Sequence, residues 1–410
     1  MMRIDFQAQY DVVVIGGGIA GVAAAIAAAE TGAKTAIIEK TAWFGGLATT
    51  GLIYFYLPVC DGYGHQVSFG LSERLLKASI KYGPDSLNPR WQEPNSAGEG
   101  IFDRYRTTFS PAAFILAIDE MLEKAGVEIW LDTVLTGCDT ESAEKAVFVR
   151  NKGGNGIIRA SVIVDATGDG EVVRESGGEI RSGENMLAYW GLEHLEPNPT
   201  PDNWQTLDTS LCGKVKGIID KADFPFHETD PRGNTEFLLQ GRKWVRQEYA
   251  VSGNRSKHFP VLLPAMAQFR TAAAIKGLCT IRENTHNTPQ EHSIGMSSDW
   301  GSVNTIQEIP YEALIPVGTS KIIAAGRCIS AEGYAWELIR SIPACAVSGE
   351  AAGVAAALCS KLALEPKDLP VAELQKILRE RGCKLSMHEA GLLYRDEPGA
   401  RPSSLKRTMH

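Results

Sequence analysis

The sequence predicts an α/β fold in which a parallel sheet, wrapped by helices, is built from both ends of the chain, with an α+β segment inserted between them. Three observations carry this reading. An apolar strand, a glycine-rich turn and an alanine-rich helix occupy 11–30. A second strand, turn and helix of the same small-residue character returns at 321–357. Between them, from about 183 to 304, proline, tryptophan and histidine become frequent and helical periodicity breaks up. A chain of 410 residues is too long for one ordinary core and suits two domains, or one large domain with an insertion. The expected division is a sheet domain at 1–182 and 305–362, an inserted substrate or cap domain at 183–304 and a C-terminal helical tail at 363–410.

Each element has a local reason. The run DVVVI at 11–15 is the unbroken apolar pattern of a parallel strand covered on both faces. The turn from Gly16 to Gly21 leads into a helix reaching about Glu30, which Gly32 can close. A second strand, Thr35 to Glu39, completes a βαβ unit. Ser110 and Pro111 suit the N-cap and first position of a helix whose inner face is Ile115, Ile118 and Leu122, and which Gly126 ends. Strands follow at 127–131, 146–150 and 161–166, the last two joined by a hairpin-like turn at 151–156. A strand at 321–325 precedes a long Ala/Gly-rich helix from Pro343, and 368–381 reads as a surface helix turning Leu374, Ile377 and Leu378 inward.

Composition narrows the class. With 44% apolar and 22% charged residues, the chain is globular. A net charge of −8 with no basic block argues against nucleic acid or anionic membranes as partners. Met1 to Tyr10 lacks the apolar run of a signal peptide, and the apolar stretch 342–358 is interrupted by Glu350, which fits a buried helix better than a membrane span. The eight cysteines show no CxxC spacing and no cluster, so no local iron–sulfur or zinc motif is present. Scattered cysteines without an export signal point to the reducing cytoplasm.

Gly16-x-Gly18-x-x-Gly21, placed between a strand and a helix, is the dinucleotide fingerprint of a Rossmann-like domain: a tight turn, a close backbone approach to a pyrophosphate, and a close helix–strand contact. Ile19 and Ala20 open the helix whose free N–H groups and dipole face the phosphates. Glu39, followed by Lys40, stands near the spacing at which a carboxylate meets ribose hydroxyls. Gly45, Gly46, Leu47, Ala48 and Thr49 form a second small-residue loop. Ala166, Thr167, Gly168 and Asp169 end a buried strand in a tight turn, and Gly326 and Arg327 repeat that design, with Arg327 able to neutralise a pyrophosphate. Ser341, Ile342 and Pro343 start the helix that contains Ala351 and Ala352; Val134 completes the set of expected cofactor contacts.

In order and character these segments resemble the FAD-dependent oxidoreductases related to fumarate reductase and heterodisulfide reductase flavoprotein subunits. The resemblance rests on VVVIGGGIAGVAAA at 12–25, GGLATTG at 45–51, IVDATGDG at 163–170 and AGRCISAEGYAWELIRSIPACAVSGEAAGVAAA at 325–357, and CDGYGHQVSFGLSERLL at 60–76 resembles a branch of the same family. It implies bound FAD and oxidoreductase activity, and says little about substrate. A second GxGxxG and a CxxxxC pair are both missing, so a built-in NAD(P)H domain is not expected.

A flavin performs the hydride chemistry, and the protein supplies orientation, charge and proton transfer. The catalytic candidates are Arg340, Arg270 and His65, with Cys60, Asp61, Arg282, His286 and His292 in the same regions. A guanidinium suits a substrate carboxylate or oxyanion, and histidine suits acid–base work. Trp190, Trp204, Trp244 and Trp300 suit either core packing or stacking on a ring substrate. The expected function is an FAD-dependent dehydrogenase or reductase acting on a small polar metabolite, with non-covalent FAD. Open alternatives are an oxidase using oxygen and a subunit relaying electrons to a partner protein. A homo-oligomer is equally open.

Overall fold

The computed structural model describes residues 3–83, 107–142, 145–185, 188–195, 226–251 and 258–403. β1 (Phe6–Ile15) starts five residues before the apolar run. Phe6, Ala8 and Tyr10 turn inward and Gln7 and Gln9 outward, so a half-buried strand leads into a doubly buried one. α1 (Ile19–Glu30) is buried on every side from Ile19 to Ala28, and β2 (Thr35–Ile38) returns parallel to β1. β3 (Phe55–Tyr56), α2 (Leu71–Ser79) and β4 (Thr107–Thr108) follow, with β3 and β4 paired in a small ribbon. α3 (Pro111–Ala125) has the expected caps: Ser110 Oγ accepts from Ala113 N–H, and Gly126 is left-handed at φ 73°. Then come β5 (Glu128–Trp130), β6 (Val134–Asp139), β7 (Lys145–Asn151), β8 (Gly154–Asp165) and α4 (Glu171–Glu175).

The stretch expected as an insert holds β9 (Ile180–Ser182), β10 (Leu192–Leu195), α5 (Gly233–Val251), β11 (His258–Leu262), β12 (Ala273–Ile275) and β13 (Ser293–Ser298). The 19-residue α5 was not anticipated. Gly241 hides its periodicity, and a side chain there would strike Tyr189, since a β-carbon would lie 2.1 Å from the ring. The chain ends with β14 (Ile306–Pro310), β15 (Ile322–Ala324), α6 (Gly333–Ile339), α7 (Ile342–Leu362) and α8 (Val371–Glu380), whose Leu374 and Leu378 are buried.

The main sheet runs β5-β2-β1-β8, after which β8 divides its free edge. Its first half pairs antiparallel with β7, which pairs with β6, and Ile163 to Asp165 pair parallel with β15. Ile38, Ile15, Asp165 and Ala324 therefore fall in register, so four strands end side by side. α7 lies across α1 at backbone contact: a β-carbon on Gly349 would come 2.2 Å from Ala20 O, and one on Gly353 2.1 Å from Ala24 O. α7 is long and apolar enough to cross a membrane, yet 83% of its apolar window is buried in the protein.

Residues 183–304 divide among three apolar clusters. Tyr189, Phe237, Trp244, Val245, Ala267, Phe269 and Ala272 form a separate cluster, whereas Ala274, Ile275, Ile281 and Ile294 join the main core. The tail packs inward too: Leu385 belongs to the main core, and Met387 and Leu392 pack with Val67, Met296 and Ile306.

Candidate functional site

In an open α/β sheet, ligands bind outside the carboxyl ends of the strands, and here a cleft lies at those four ends. It encloses about 1370 Å³ of non-protein space, its open mouth included. Its lining draws on the strand ends, the β1–α1 turn and the start of α7.

The β1–α1 turn forms the floor. Gly16 sits at φ 97°, where a β-carbon would come 2.5 Å from Ala166 O, and one on Gly21 would come 1.8 Å from Gly16 O. Both glycines are there to let chain meet chain. Gly18 differs: a β-carbon on it meets nothing within 4 Å, so its surface is left for a ligand, at the N-terminus of α1. Ile19 and Ala20 line the cleft beside it. Glu39, buried, accepts from Gly17 N–H at 2.7 Å through Oε2 and from Thr41 N–H at 2.8 Å through Oε1. A carboxylate so held keeps further lone pairs for ribose hydroxyls. Glu39, Lys40 and Val134 all line this end.

The 45–51 loop is fastened to the floor by Gly45 N–H donating to Gly17 O at 2.7 Å. Gly45, Gly46, Leu47 and Ala48 line the cleft. Thr49, expected with them, turns away and gives its hydroxyl to Phe44 O at 2.6 Å. Thr50 stands in its place: it lines the cleft, and its buried Oγ1 has no hydrogen-bond partner among the described residues. An orphaned buried hydroxyl on a residue that lines a cleft is what a bound polar group would satisfy. The glycine cradle, the Glu39 carboxylate and this hydroxyl fit FAD.

Across the cleft, Ala166, Thr167, Gly168 and Gly326 line the wall. Arg327 lines it too but is not free to neutralise a pyrophosphate. Its Nε donates to Gly168 O at 2.8 Å, its Nη1 to Phe269 O at 2.6 Å, and its Nη2 to Asp169. Burial works against the guanidinium charge, and the Asp169 and Glu228 carboxylates override it. Asp169 therefore serves Arg327 rather than the cleft. Glu228 Oε2 lies 3.6 Å from Arg327 Nη2, buried and without a hydrogen-bond partner among the described residues. Burial pushes Glu228 above the usual carboxylate range and the Asp169 carboxylate adds to this, against Arg327.

A carboxyl with a raised folded pKa binds its proton more tightly folded than unfolded. Its contribution to stability is therefore complete below the ordinary value near 4.5 and is lost as pH rises toward the raised one. Relative to wild type, Glu228→Gln is expected to gain melting temperature progressively from pH 5 to pH 8. An equal difference at both ends would show Glu228 already ionised in the folded chain.

At the α7 end the lining residues are Arg340, Ile342 and Cys345. Cys345 gave no signal in the sequence; its Sγ donates to Arg340 O at 3.3 Å, and burial pushes the thiol up to about 12, so it is not a thiolate. Ala351 and Ala352, expected as contacts, are fully buried outside the lining. Nine residues of helix carry Ala351 about 13 Å along the axis from Ile342. Arg340 Nε donates to Glu337 Oε2 at 2.9 Å; Arg270, expected beside it, is half-buried outside the lining.

The remaining candidates lie elsewhere. His65 Nδ1 pairs with Asp61 Oδ2 at 2.8 Å in a turn closed by the Cys60–Gln66 bridge, outside the lining. Arg282 pairs with Glu332, and His292 with Glu312. His286 packs edge-on to Tyr334. Trp190 meets Tyr54 edge-on at 6.2 Å, and Trp244 belongs to the separate cluster. Trp204 lies outside the described residues, and Trp300 is half-buried outside the lining.

The family model described as FAD dependent oxidoreductase matches residues 11–257 and 269–378. Among curated proteins, a digeranylgeranylglycerophospholipid reductase of Methanocaldococcus jannaschii is 27% identical over 173 residues, which is 41% of this chain and 40% of that protein. An uncharacterized protein in the nifH2 5′ region of Methanosarcina barkeri is 29% identical over 189 residues, 42% of this chain and 89% of that protein. Among solved structures, a geranylgeranyl bacteriochlorophyll reductase-like protein from Thermoplasma acidophilum aligns over 92% of this chain and 84% of its own, at 17% identity and a TM-score of 0.42.

Proposed function

Because this chain belongs to the FAD-dependent oxidoreductase family, we propose that it moves a hydride equivalent between FAD held in the strand-end cleft and a small polar metabolite, as a dehydrogenase or reductase in the cytoplasm. The observation that carries this reading is the cleft itself: an unobstructed Gly18 at the N-terminus of α1, the Glu39 carboxylate and the orphaned Thr50 hydroxyl share one continuous lining. In this reading Gly16, Gly18, Ile19, Ala20 and Gly21 shape the pyrophosphate site, while Glu39, Lys40 and Val134 hold the adenosine. Gly45 to Ala48, Thr50, Ala166 to Gly168 and Gly326 hold the remainder, with Arg340 toward the substrate.

FAD supplies the two-electron acceptor or donor when bound. The chain supplies the rest. The Gly18 turn and the dipole of α1 neutralise phosphate. α7 starts at the cleft with Ile342, and the dipole of its N-terminus is a fixed partial positive charge that favours an anionic neighbour. Residues 1–182 and 305–362 make the flavin domain in this proposal, 183–304 the insert that reaches the cleft through Met266, and 363–410 the tail.

The test is anaerobic. FAD-loaded protein is mixed with a panel of hydroxy acids, amino acids, polyols and unsaturated acids, and flavin absorbance is followed; bleaching by one class, or reoxidation of the reduced protein by one, is expected. Reduction by an iron–sulfur protein and by no metabolite would replace this reading with electron relay. The FAD is expected to be non-covalent, since neither Cys60 nor His65 lines the cleft. Acid precipitation should leave a yellow supernatant over a colourless pellet.

A further inference from the structure

We propose that the Thr50 hydroxyl donates a hydrogen bond to the isoalloxazine ring and thereby raises the reduction potential of the flavin. This deepens the reading above and rests on it. Thr50 lines the cleft and is 3% exposed, and its Oγ1 has no hydrogen-bond partner among the described residues. A buried hydroxyl left unpaired costs free energy. A polar group of a ligand in the cleft removes that cost.

The place of Thr50 along the cleft decides which part of FAD it meets. The 45–51 loop is fixed at both ends. At its start Gly45 N–H donates to Gly17 O at 2.7 Å, and a β-carbon on Gly46 would come 3.0 Å from Gly18 Cα. At its end Ala265 N–H donates to Thr50 O at 3.0 Å, and Gln268 Nε2 to Gly51 O at 2.5 Å. Gln268 is buried and its Oε1 accepts from Trp190 N–H at 2.7 Å, so the side chain that grips the loop is itself held. The loop thus runs from the Gly18 turn to the insert, where Met266 joins the lining. FAD is a chain of parts in fixed order: adenosine, pyrophosphate, ribityl, ring. With the adenosine at Glu39 and the pyrophosphate at Gly18, the ring falls at the Thr50 and Met266 end.

Chemistry sets the direction of the bond. The polar edge of the ring carries the acceptors N1, O2, O4 and N5 and a single donor, N3–H, so a free hydroxyl beside it serves chiefly as a donor. When electrons arrive, N1, O2 and O4 become more negative, and a hydrogen bond to an ionised acceptor is about twice as strong as one to a neutral acceptor. A donor already held in place therefore favours the reduced ring over the oxidised one. The lining around Thr50 sharpens the effect. Leu47 and Ala48 before it in the loop, and Met266 beside Ala265, are all apolar, and a bond in such surroundings is stronger than one in water.

The experiment compares FAD-loaded wild type with Thr50→Val, which exchanges the hydroxyl for a methyl at nearly constant volume, and with Thr50→Ser, which keeps the hydroxyl. Each is titrated with dithionite beside a reference dye in the absence of oxygen, and the visible flavin spectrum is recorded. Thr50→Val is expected to shift the equilibrium toward oxidised flavin about tenfold, ~30 mV for a two-electron couple, and to displace the visible absorption band. Thr50→Ser should recover most of the potential. The flavin-free Thr50→Val chain should melt at or above wild type, since no described residue loses a partner. A purely structural role gives the opposite pattern, a lower melting temperature with an unchanged potential. The proposal is overturned if potential and band of Thr50→Val coincide with wild type, as they would if water alone satisfied the hydroxyl. It is overturned equally if the potential rises, or if Thr50→Ser behaves as Thr50→Val does. The released chromophore is identified separately. A chain that binds no FAD overturns the reading above and this proposal with it, whereas bound FAD with coincident potentials overturns the proposal alone.

Discussion

Gly18→Val is expected to leave the chain folded and to abolish FAD binding. The residue has φ −67° and ψ 178°, an extended conformation that valine adopts readily. A β-carbon there meets no protein atom within 4 Å, so the fold has no reason to object. The branched side chain would instead fill the space in front of the free N–H groups of α1, where the pyrophosphate needs backbone contact. Loss of at least ~100-fold in FAD affinity is expected, about 2.7 kcal/mol, measured by calorimetry on the flavin-free chain, with circular dichroism and melting temperature unchanged. Retained affinity would place the pyrophosphate elsewhere in the cleft.

Gly353→Val should do the reverse. Its β-carbon would come 2.1 Å from Ala24 O and 2.9 Å from Ala24 Cα, and both helices are buried at that level, so neither can lean outward. Overpacking in cores ordinarily costs about 1–3 kcal/mol. A clash with backbone rather than side chain belongs at or above the top of that range. A fall in melting temperature of more than about 6 °C follows for a domain of this size, with FAD loss only as a consequence of unfolding. A variant melting within a degree or two of wild type would mean that α7 can slide on α1.

The contrast between these glycines explains what was legible in the sequence. Gly16, Gly18 and Gly21 sit within one turn, so their spacing and the flanking strand and helix reveal their setting together. Glu39 was readable because one βαβ unit fixes its distance from them. Interactions that cross the chain were not readable. Thr49 and Thr50 have the same chemistry, and only the short 3-10 turn Gly46–Ala48 decides which of them lines the cleft. Arg327 looked free because Asp169 and Glu228, which occupy it, lie far upstream. Ala351 and Ala352 looked like contacts because small residues serve a helix–helix crossing as well as a ligand. α5 escaped because its mid-helix glycine answers to Tyr189 rather than to helix propensity.

The divided edge of β8 has a consequence for how the chain comes into being. As the protein emerges from the ribosome, β1, β2, β5, β6, β7 and β8 are complete by residue 165, but Ile163 to Asp165 keep an unpaired edge until β15 is made at 322–324. At 5–20 residues per second that wait lasts roughly 10–30 s. α1, apolar on all sides, waits longer still for α7. Throughout that interval the nascent chain offers its neighbours an open parallel strand and the side of α1 that α7 will cover, and its exposure is greatest before the C-terminal elements exist.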